Sequence, residues 1–384
     1  LGQLLCAGLG LLLRAPRRER PPAGDPAVRR IALVKFWGMG SIVLLGPAIA
    51  RLRARHPQAR ITLVTQRANQ ELVRLLGQVD DGLYLELGAG PGGFLRSLAQ
   101  LVLAVRQARF DLWLDAEFLT RFSALLTAVS GARCRVGFHV AEVFRGGFHH
   151  VQAPFNPHWH IVENFAALAD GDLVAPAPPP ALPALFPAAE AQARLEAKLA
   201  ARGVSAGRPV IVVNPNAGEL ALERRWPIAR FAALVERLQS RVGLPIVLIG
   251  APAERRYVAE LKAQLTDPAA VCDLAGETTL DELVALFARA ALVVSNDTGP
   301  LHLACAAGAP TVALFGPETP VLFGPRNPRQ RTVYKRLACS PCLTVHNGRS
   351  VACPYAVTHC VADITMEDVL AAAESLLAEV APSA

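Results

Sequence analysis

Short apolar runs alternate with longer helical stretches along most of this 384-residue chain. β-Branched and other apolar residues at 31–35 and 61–65 predict strands, and the segment at 42–56 between them predicts a helix. The same order begins again with a strand at 210–213 and a helix at 228–240. Strands that alternate with helices of this length form a parallel sheet covered by helices on both faces. The pattern therefore predicts an α/β fold.

The alternation stops in a proline-rich segment, DLVAPAPPPALPALFP, which carries almost no charge. Because proline cannot continue a helix or a central strand, we predict a linker at 171–190. The linker separates an N-terminal lobe at 30–170 from a C-terminal lobe at 191–384. Hydrophobic residues make up 52% of the chain, which is enough to form a core in each lobe. Two doubly wound, Rossmann-like lobes facing across a cleft are predicted, with ligands bound beyond the carboxyl ends of their strands.

Residues 1–29 form a tail in which an apolar run precedes an arginine cluster, and much of the formal net charge of +7 lies there. This order is typical of a short helix in a membrane interface, with its arginines on anionic head groups. Two alternatives are the end of a spanning helix that starts upstream and a terminus that packs on the body. No apolar run approaches the roughly 20 residues of a spanning helix. The body lacks a basic groove with interleaved aromatics, so nucleic acid is not an expected partner.

A glycine turn, KFWGMGSIV at 35–43, follows the first strand. Gly38 and Gly40 permit a tight turn and close backbone approach to a ligand. A dinucleotide-binding fingerprint needs a third glycine where this chain has Val43, so a nicotinamide-dependent dehydrogenase is disfavoured.

Two polar turns follow strands of the second lobe. In NDTGPLHLA, residues 296–304, backbone amides, a threonine hydroxyl and a helix N-terminus together predict an anion site. In NPNAGELALERRWP, residues 214–227, Asn216 precedes Arg224 and Arg225, and arginine at such a place suits a phosphate. The two arginines point apart, so we expect only one of them to face the ligand.

In this order, these motifs resemble glycosyltransferase family 9, the heptosyltransferases of bacterial lipopolysaccharide assembly. The resemblance spans about 30–380 and rests on the glycine turn, DLWLDAEFLTRFSALL, ERRWP, IGAPAE and above all NDTGPLHLA. It implies the two-lobed GT-B fold and inverting transfer of a sugar, usually from ADP-heptose, to a lipid-linked saccharide. It also implies that no metal is required and that the protein works at the cytoplasmic face of the inner membrane.

Carried over residue by residue, the resemblance places the donor in the C-terminal lobe. The implied diphosphate contacts are Asp297, Thr298, Gly299 and His302. Arg224 stands where the family often has a lysine beside the phosphates, and Glu254 stands near an acid that meets the ribose in relatives.

One position departs from the family pattern. Where heptosyltransferases carry the aspartate that is their presumed general base, this chain has Ser41, which cannot take a proton at neutral pH. Asp115, Glu117 and His139 are the substitutes in the N-terminal lobe, and Glu117 is favoured because the family usually has glutamine there. The alternative is a non-catalytic member that binds nucleotide-sugar or glycan without transferring it. A sugar-nucleotide epimerase of the same fold is disfavoured by the NDTGPLH motif.

A cysteine cluster lies near the C-terminus. Four thiolates, two of them only three residues apart, are suited to binding zinc or iron. The alternative is four free thiols. Disulfides are not expected, because they need an oxidising compartment. The cluster comprises Cys339, Cys342, Cys353 and Cys360.

Overall fold

In a computed structural model, the structure describes residues 2–88, 90–140, 143–171, 174, 181–218, 221–343 and 353–380. The chain forms two compact units, Leu1–Pro183 and Ala184–Ala384. Eight residues of the predicted linker, 172–173 and 175–180, lie outside the described residues, as does 344–352 within the cysteine-rich segment.

The first unit contains a six-stranded parallel sheet. Its strands are β1 Arg30–Val34, β2 Arg60–Gln66, β3 Asp81–Leu85, β4 Leu112–Asp115, β5 Cys134–His139 and β6 Val151–Pro154. Its helices are α1 Gly2–Leu13, α2 Met39–Leu44, α3 Gly46–Arg55, α4 Gln70–Leu75, α5 Gly90–Ala108, α6 Arg121–Val129 and α7 Ile161–Asp170. The strand order is β3-β2-β1-β4-β5-β6, so the direction of winding reverses between β1 and β4.

The helix predicted at 42–56 is wrong as a single helix. It is divided into α2 and α3, and Pro47 lies in the first turn of α3. Proline suits a first turn, where its missing N–H is not needed.

Helix α1 packs on α6, where Cys6 is buried with Ala124 and Phe148. Within the described residues, no helix combines the length and apolar character needed to span a membrane.

The second unit repeats this topology. Its strands are β7 Val210–Asn214, β8 Ile246–Leu248, β9 Val271–Asp273, β10 Ala290–Asn296, β11 Thr311–Phe315 and β12 Gln330–Tyr334. Its helices are α8 Ala189–Ala200, α9 Ile228–Val242, α10 Arg255–Lys262, α11 Leu280–Ala288, α12 Gly299–Ala306, α13 Pro320–Phe323, α14 His359–Ala362 and α15 Met366–Val380. The order β12-β11-β10-β7-β8-β9 reverses between β7 and β10. The predicted pair of doubly wound lobes is confirmed.

The core of the second unit forms because helices on both sides bury apolar faces against the sheet. Trp226 and Phe231 are fully buried at the start of α9, with their rings edge to face at 4.8 Å. The Trp226 indole donates to the Ile364 carbonyl at 2.9 Å and so connects α9 to the segment before α15. A capping box precedes helix α15: the Asp368 amide donates to Thr365 Oγ1, and the Thr365 amide donates to Asp368 Oδ2. These contacts support the loops beyond β7 and β10.

Candidate active site

The carboxyl ends of β7 and β10 lie side by side at the point where the second sheet reverses its winding, and asparagines connect them. Asn214 Nδ2 donates to Ser295 Oγ at 3.0 Å and to Thr298 Oγ1 at 2.9 Å. Asn216 Nδ2 donates to Asn214 Oδ1 at 3.1 Å and to the Ile249 carbonyl at 2.9 Å. Because these amides are buried and bonded, the two turns are held in one arrangement.

Asn296 connects the end of β10 to the loop that carries the arginines. Its Nδ2 donates to the carbonyls of Pro215 and Asn216 at 2.9 and 3.1 Å. Its Oδ1 accepts from the Trp226 amide at 3.3 Å. The side chain therefore fixes both ends of the 215–226 loop.

Helix α12 begins directly after this turn. Thr298 is its N-cap residue with extended backbone angles, and Gly299 is its first residue. The Asp297 amide donates to the Leu314 carbonyl at 3.0 Å, which holds the turn against β11. A helix N-terminus at the carboxyl edge of a parallel sheet is suited to a bound anion, and the anion site predicted for this turn stays a prediction.

Arg224 is the cation beside that turn, and two acids surround it. Its Nη1 donates to the Asp297 carbonyl at 3.3 Å, and its Nε lies 3.4 Å from Asp297 Oδ2. Its Nη2 lies 3.9 Å from Glu318 Oε2, and its side chain is 18% exposed. The guanidinium is therefore oriented by carboxylates and still reachable by a ligand. Asp297 faces the arginine, so we expect its carboxylate to orient Arg224 and the backbone of its turn to meet phosphate.

His302 lies in the first turns of α12 and is buried. Burial lowers its pKa to about 4, against the opposing effect of Asp297. The imidazole is therefore neutral at pH 7 and can act as a hydrogen-bond donor.

The Arg225 side chain points away from Arg224, as the sequence predicted. The Arg225 guanidinium lies 4.0 Å from the centre of the Tyr257 ring, in a cation–π contact. Glu254 closes the 3₁₀ turn Pro252–Glu254 after β8, where its Oε2 accepts from the Ala251 amide at 2.8 Å. Its contact with a ribose stays a prediction.

Glu117 lies at the corresponding reversal of the first sheet, just beyond β4. Its Oε1 accepts from the amides of Phe36 and Trp37 at 2.8 and 2.9 Å. Its Oε2 lies 2.9 Å from Lys35 Nζ, and both charged side chains are almost fully buried. The carboxylate therefore fixes the backbone that leads from β1 into the glycine turn.

Asp115, the last residue of β4, is also fully buried. Its carboxylate lies 2.5 Å from Arg145 Nη2 and 3.1 Å from His149 Nε2, and it accepts from Ser123 Oγ at 3.2 Å. Burial alone would raise the pKa of Asp115, but Arg145, His149 and Ser123 hold it below its ordinary value. A buried carboxylate with these three partners holds together the segments of the first lobe that carry them.

The glycine turn itself follows β1 directly. Gly38 has φ 81°, a left-handed angle that favours glycine, and is the N-cap residue of α2. Gly40 and Ser41 lie in that helix, with Gly40 buried and Ser41 half-buried. His139 ends β5 and is exposed.

Cys360, one of the four clustered cysteines, is buried next to Gly316 in the turn that follows β11. Burial, together with the thiols of Cys342, Cys339 and Cys353, raises the pKa of Cys360 to about 12. Among the described residues, which omit 344–352, no group of three or more His, Cys, Asp or Glu side chains is arranged to hold a metal ion. The described geometry therefore gives the predicted zinc or iron site no support.

Sequence reasoning did not single out Lys35 or Arg145, the partners of the buried carboxylates. Each lies far in sequence from its acid, so no local motif joins them. A charged residue at the end of a buried apolar run, as at Lys35, is the signal that could have been used.

The chain is similar to known glycosyltransferases in sequence. The model of the family described as "Glycosyltransferase family 9 (heptosyltransferase)" matches residues 98–350. "Lipopolysaccharide heptosyltransferase 2" of Salmonella typhimurium is 28% identical over 349 residues, which cover 89% of this chain and 96% of that protein. Its Escherichia coli counterpart is 29% identical over 304 residues, covering 77% and 85%.

A solved structure of a heptosyltransferase has the same fold. The structure of E. coli ADP-heptose lps heptosyltransferase II superposes with a TM-score of 0.70 at 25% identity, covering 92% of this chain and 99% of that one. The predicted GT-B fold is confirmed.

Proposed function

The chain belongs to glycosyltransferase family 9, and we propose that it transfers heptose from ADP-heptose to the lipopolysaccharide core or another lipid-linked envelope glycan. The observation that carries the proposal is the start of α12 with Arg224 beside it in the second lobe, an arrangement suited to a diphosphate. The E. coli protein of known structure is named for ADP-heptose and lipopolysaccharide, which supports both the donor and the acceptor.

The proposed reaction is a single displacement with inversion. An acceptor hydroxyl oxygen forms a bond to the anomeric carbon, the bond from that carbon to the diphosphate breaks, and ADP leaves. The start of α12 and Arg224 stabilise the negative charge that develops on the leaving diphosphate, and neutral His302 is a further donor. With these groups in place, we propose that transfer needs no metal.

The hydroxyl proton must pass to a base, and we propose Glu117 for this role. It is the carboxylate next to the glycine turn, although Lys35 would have to release Oε2 before that oxygen could take a proton. In a Glu117→Gln variant, loss of a general base lowers kcat by about 100-fold or more and removes the acidic limb of the pH–rate profile. If kcat and the acidic limb are retained, Glu117 only holds the turn.

The test of the function is product formation. Purified protein is incubated with ADP-heptose and deacylated lipopolysaccharide core, and the product is identified by mass and anomeric configuration. Thermal shifts with ADP, GDP and UDP define the nucleotide, because a ligand at 100 times its Kd adds about 2.7 kcal/mol of stability. An Asp297→Ala variant should respond more weakly to the preferred nucleotide, because Arg224 loses a carboxylate that orients it.

The second candidate is a non-catalytic binding protein, and the observation that favours it is Ser41 at the position of the family's aspartate. Stabilisation by ADP-heptose without product from any core acceptor would favour this candidate over the transferase.

We propose that the protein works peripherally at the cytoplasmic face of the inner membrane. Leu12 is 81% exposed at the end of α1. The segment that follows α1 lines a cavity of about 730 Å³, with Arg14, Arg17, Arg18 and His150 among the lining residues. Exposed leucine beside arginines is suited to anionic head groups. Binding to phosphatidylglycerol vesicles, lost when the three arginines are changed to glutamine, tests this placement.

A further inference from the structure

The two sheets have the same strand order, with the reversal between β1 and β4 in one and between β7 and β10 in the other. In a doubly wound sheet, ligands bind beyond the carboxyl ends of the strands at this reversal. In the second sheet the polar turns of the donor site lie there. In the first sheet, the segment at the same place runs from Lys35 through Trp37 to the glycine turn.

Trp37 is the large side chain that this segment presents to solvent. Its side chain is 39% exposed, whereas Trp113 and Trp226 are fully buried. An indole has a broad apolar face, and leaving it in water at a ligand-binding position forfeits the stabilisation that burial would give. The exposure therefore points to a partner that covers the ring.

The backbone that carries the indole is rigidly held. The Trp37 amide donates to Glu117 Oε1 at 2.9 Å, and the preceding Phe36 amide donates to the same oxygen at 2.8 Å. The Phe36 ring is buried and lies edge to face with Phe122 at 5.0 Å. On the other side, Gly38 enters its turn with φ 81°. Because this backbone is ordered before any ligand arrives, binding on the ring loses less entropy.

The charged pair that holds this segment is internally neutralised. Lys35 and Glu117 form a buried ion pair, with 2.9 Å between Nζ and Oε2. A ligand over Trp37 therefore meets an aromatic face and a glycine turn, which favours an uncharged ring over a phosphate.

From these observations, we propose that Trp37 is a platform on which a sugar ring of the acceptor glycan stacks. The C–H face of a pyranose is apolar and matches the indole face, while its hydroxyl groups stay in water. That the stacked sugar belongs to the acceptor rests on the transferase function proposed above. Trp37 is then a specificity-determining residue of the acceptor side.

The kinetic test compares Trp37→Ala and Trp37→Phe with Trp159→Ala. Trp159 is half-buried in the loop after β6, the outermost strand of the same sheet, and serves as the matched control. We expect Trp37→Ala to raise the KM for deacylated lipopolysaccharide core by about tenfold or more. The KM for ADP-heptose should stay unchanged, and Trp37→Phe should lie in between. An unchanged acceptor KM in Trp37→Ala would overturn the proposal.

A binding test separates this proposal from the proposed function. The deacylated core is titrated without donor, and binding is measured by calorimetry on the wild type, Trp37→Ala and Trp159→Ala. Binding that weakens only in Trp37→Ala supports the platform even if no transfer product forms. Product formation with equal core affinity in all three proteins would refute the platform and leave the transferase intact. Absence of core binding to the wild type would also refute it.

Discussion

Replacing Arg224 and Arg225 one at a time offers a direct test of the donor site, because adjacent residues of the same type have different surroundings. Arg224 lies between Asp297 and Glu318, beside the start of α12. Arg225 instead lies over the Tyr257 ring. Arg224→Ala should therefore impair donor binding, and Arg225→Ala is its matched control.

The expected magnitude follows from the charges. A charge-assisted hydrogen bond to a bound anion contributes about 1.5–3 kcal/mol. Without Arg224, the carboxylates of Asp297 and Glu318 also face the diphosphate with no cation between them, so the upper part of that range applies. Loss of about 2–3 kcal/mol corresponds to a roughly 30- to 150-fold weaker affinity for ADP. Arg225→Ala loses a cation–π contact of about 0.5–1 kcal/mol, and we expect that loss in folding stability alone.

Calorimetric titration with ADP measures the affinities, and thermal unfolding without ligand measures the stabilities. Arg224→Lys should lie between the wild type and Arg224→Ala, because lysine keeps the charge but not the planar fork. The reasoning is refuted if Arg224→Ala binds ADP as the wild type does, or if Arg225→Ala weakens ADP binding equally.

Two further predictions concern stability and composition. The pKa of His302 falls from 6.5 to about 4 on folding. The contribution of His302 to the free energy of unfolding should therefore be constant above pH 6.5 and decline toward pH 4, by up to roughly 3 kcal/mol. Chemical denaturation of His302→Gln should show a correspondingly shallower decline, and an unchanged slope would contradict the assignment. For the cysteine cluster, elemental analysis near one equivalent of zinc or iron would establish a metal site, whereas less than about 0.2 equivalents would exclude it.

The central strands could be predicted because buried parallel strands are continuous apolar runs. β1 and β7 are such runs, and the strands predicted at 31–35 and 210–213 match them to within a residue at each end. β12 is half-buried along its whole length and includes Gln330 and Arg331, so it lacks this pattern. β6 is four residues long and ends in Pro154, which likewise conceals it.

The local part of the donor site could also be predicted, because Asn296 to His302 form one strand–turn–helix unit. Its residue types and spacing predict the strand, the turn and the helix start without reference to the rest of the chain. The partners of the charged groups could not be predicted in this way. Arg224 meets Glu318, and Lys35 meets Glu117, only because distant strands end at the same edge of a sheet.

The two lobes share one topology, yet they use charge in opposite ways at the reversal of their sheets. In the first, Lys35 and Glu117 are both buried and neutralise each other, and an exposed indole lies beside them. In the second, Arg224 is partly exposed next to a helix N-terminus. A neutralised, aromatic surface suits an uncharged sugar ring, and an accessible cation with helix amides suits a diphosphate. In the proposed transferase, one fold therefore provides two different sites, one for an acceptor glycan and one for an anionic donor. The difference arises because the charged side chains at the carboxyl ends of the strands are paired in the first lobe and partly exposed in the second.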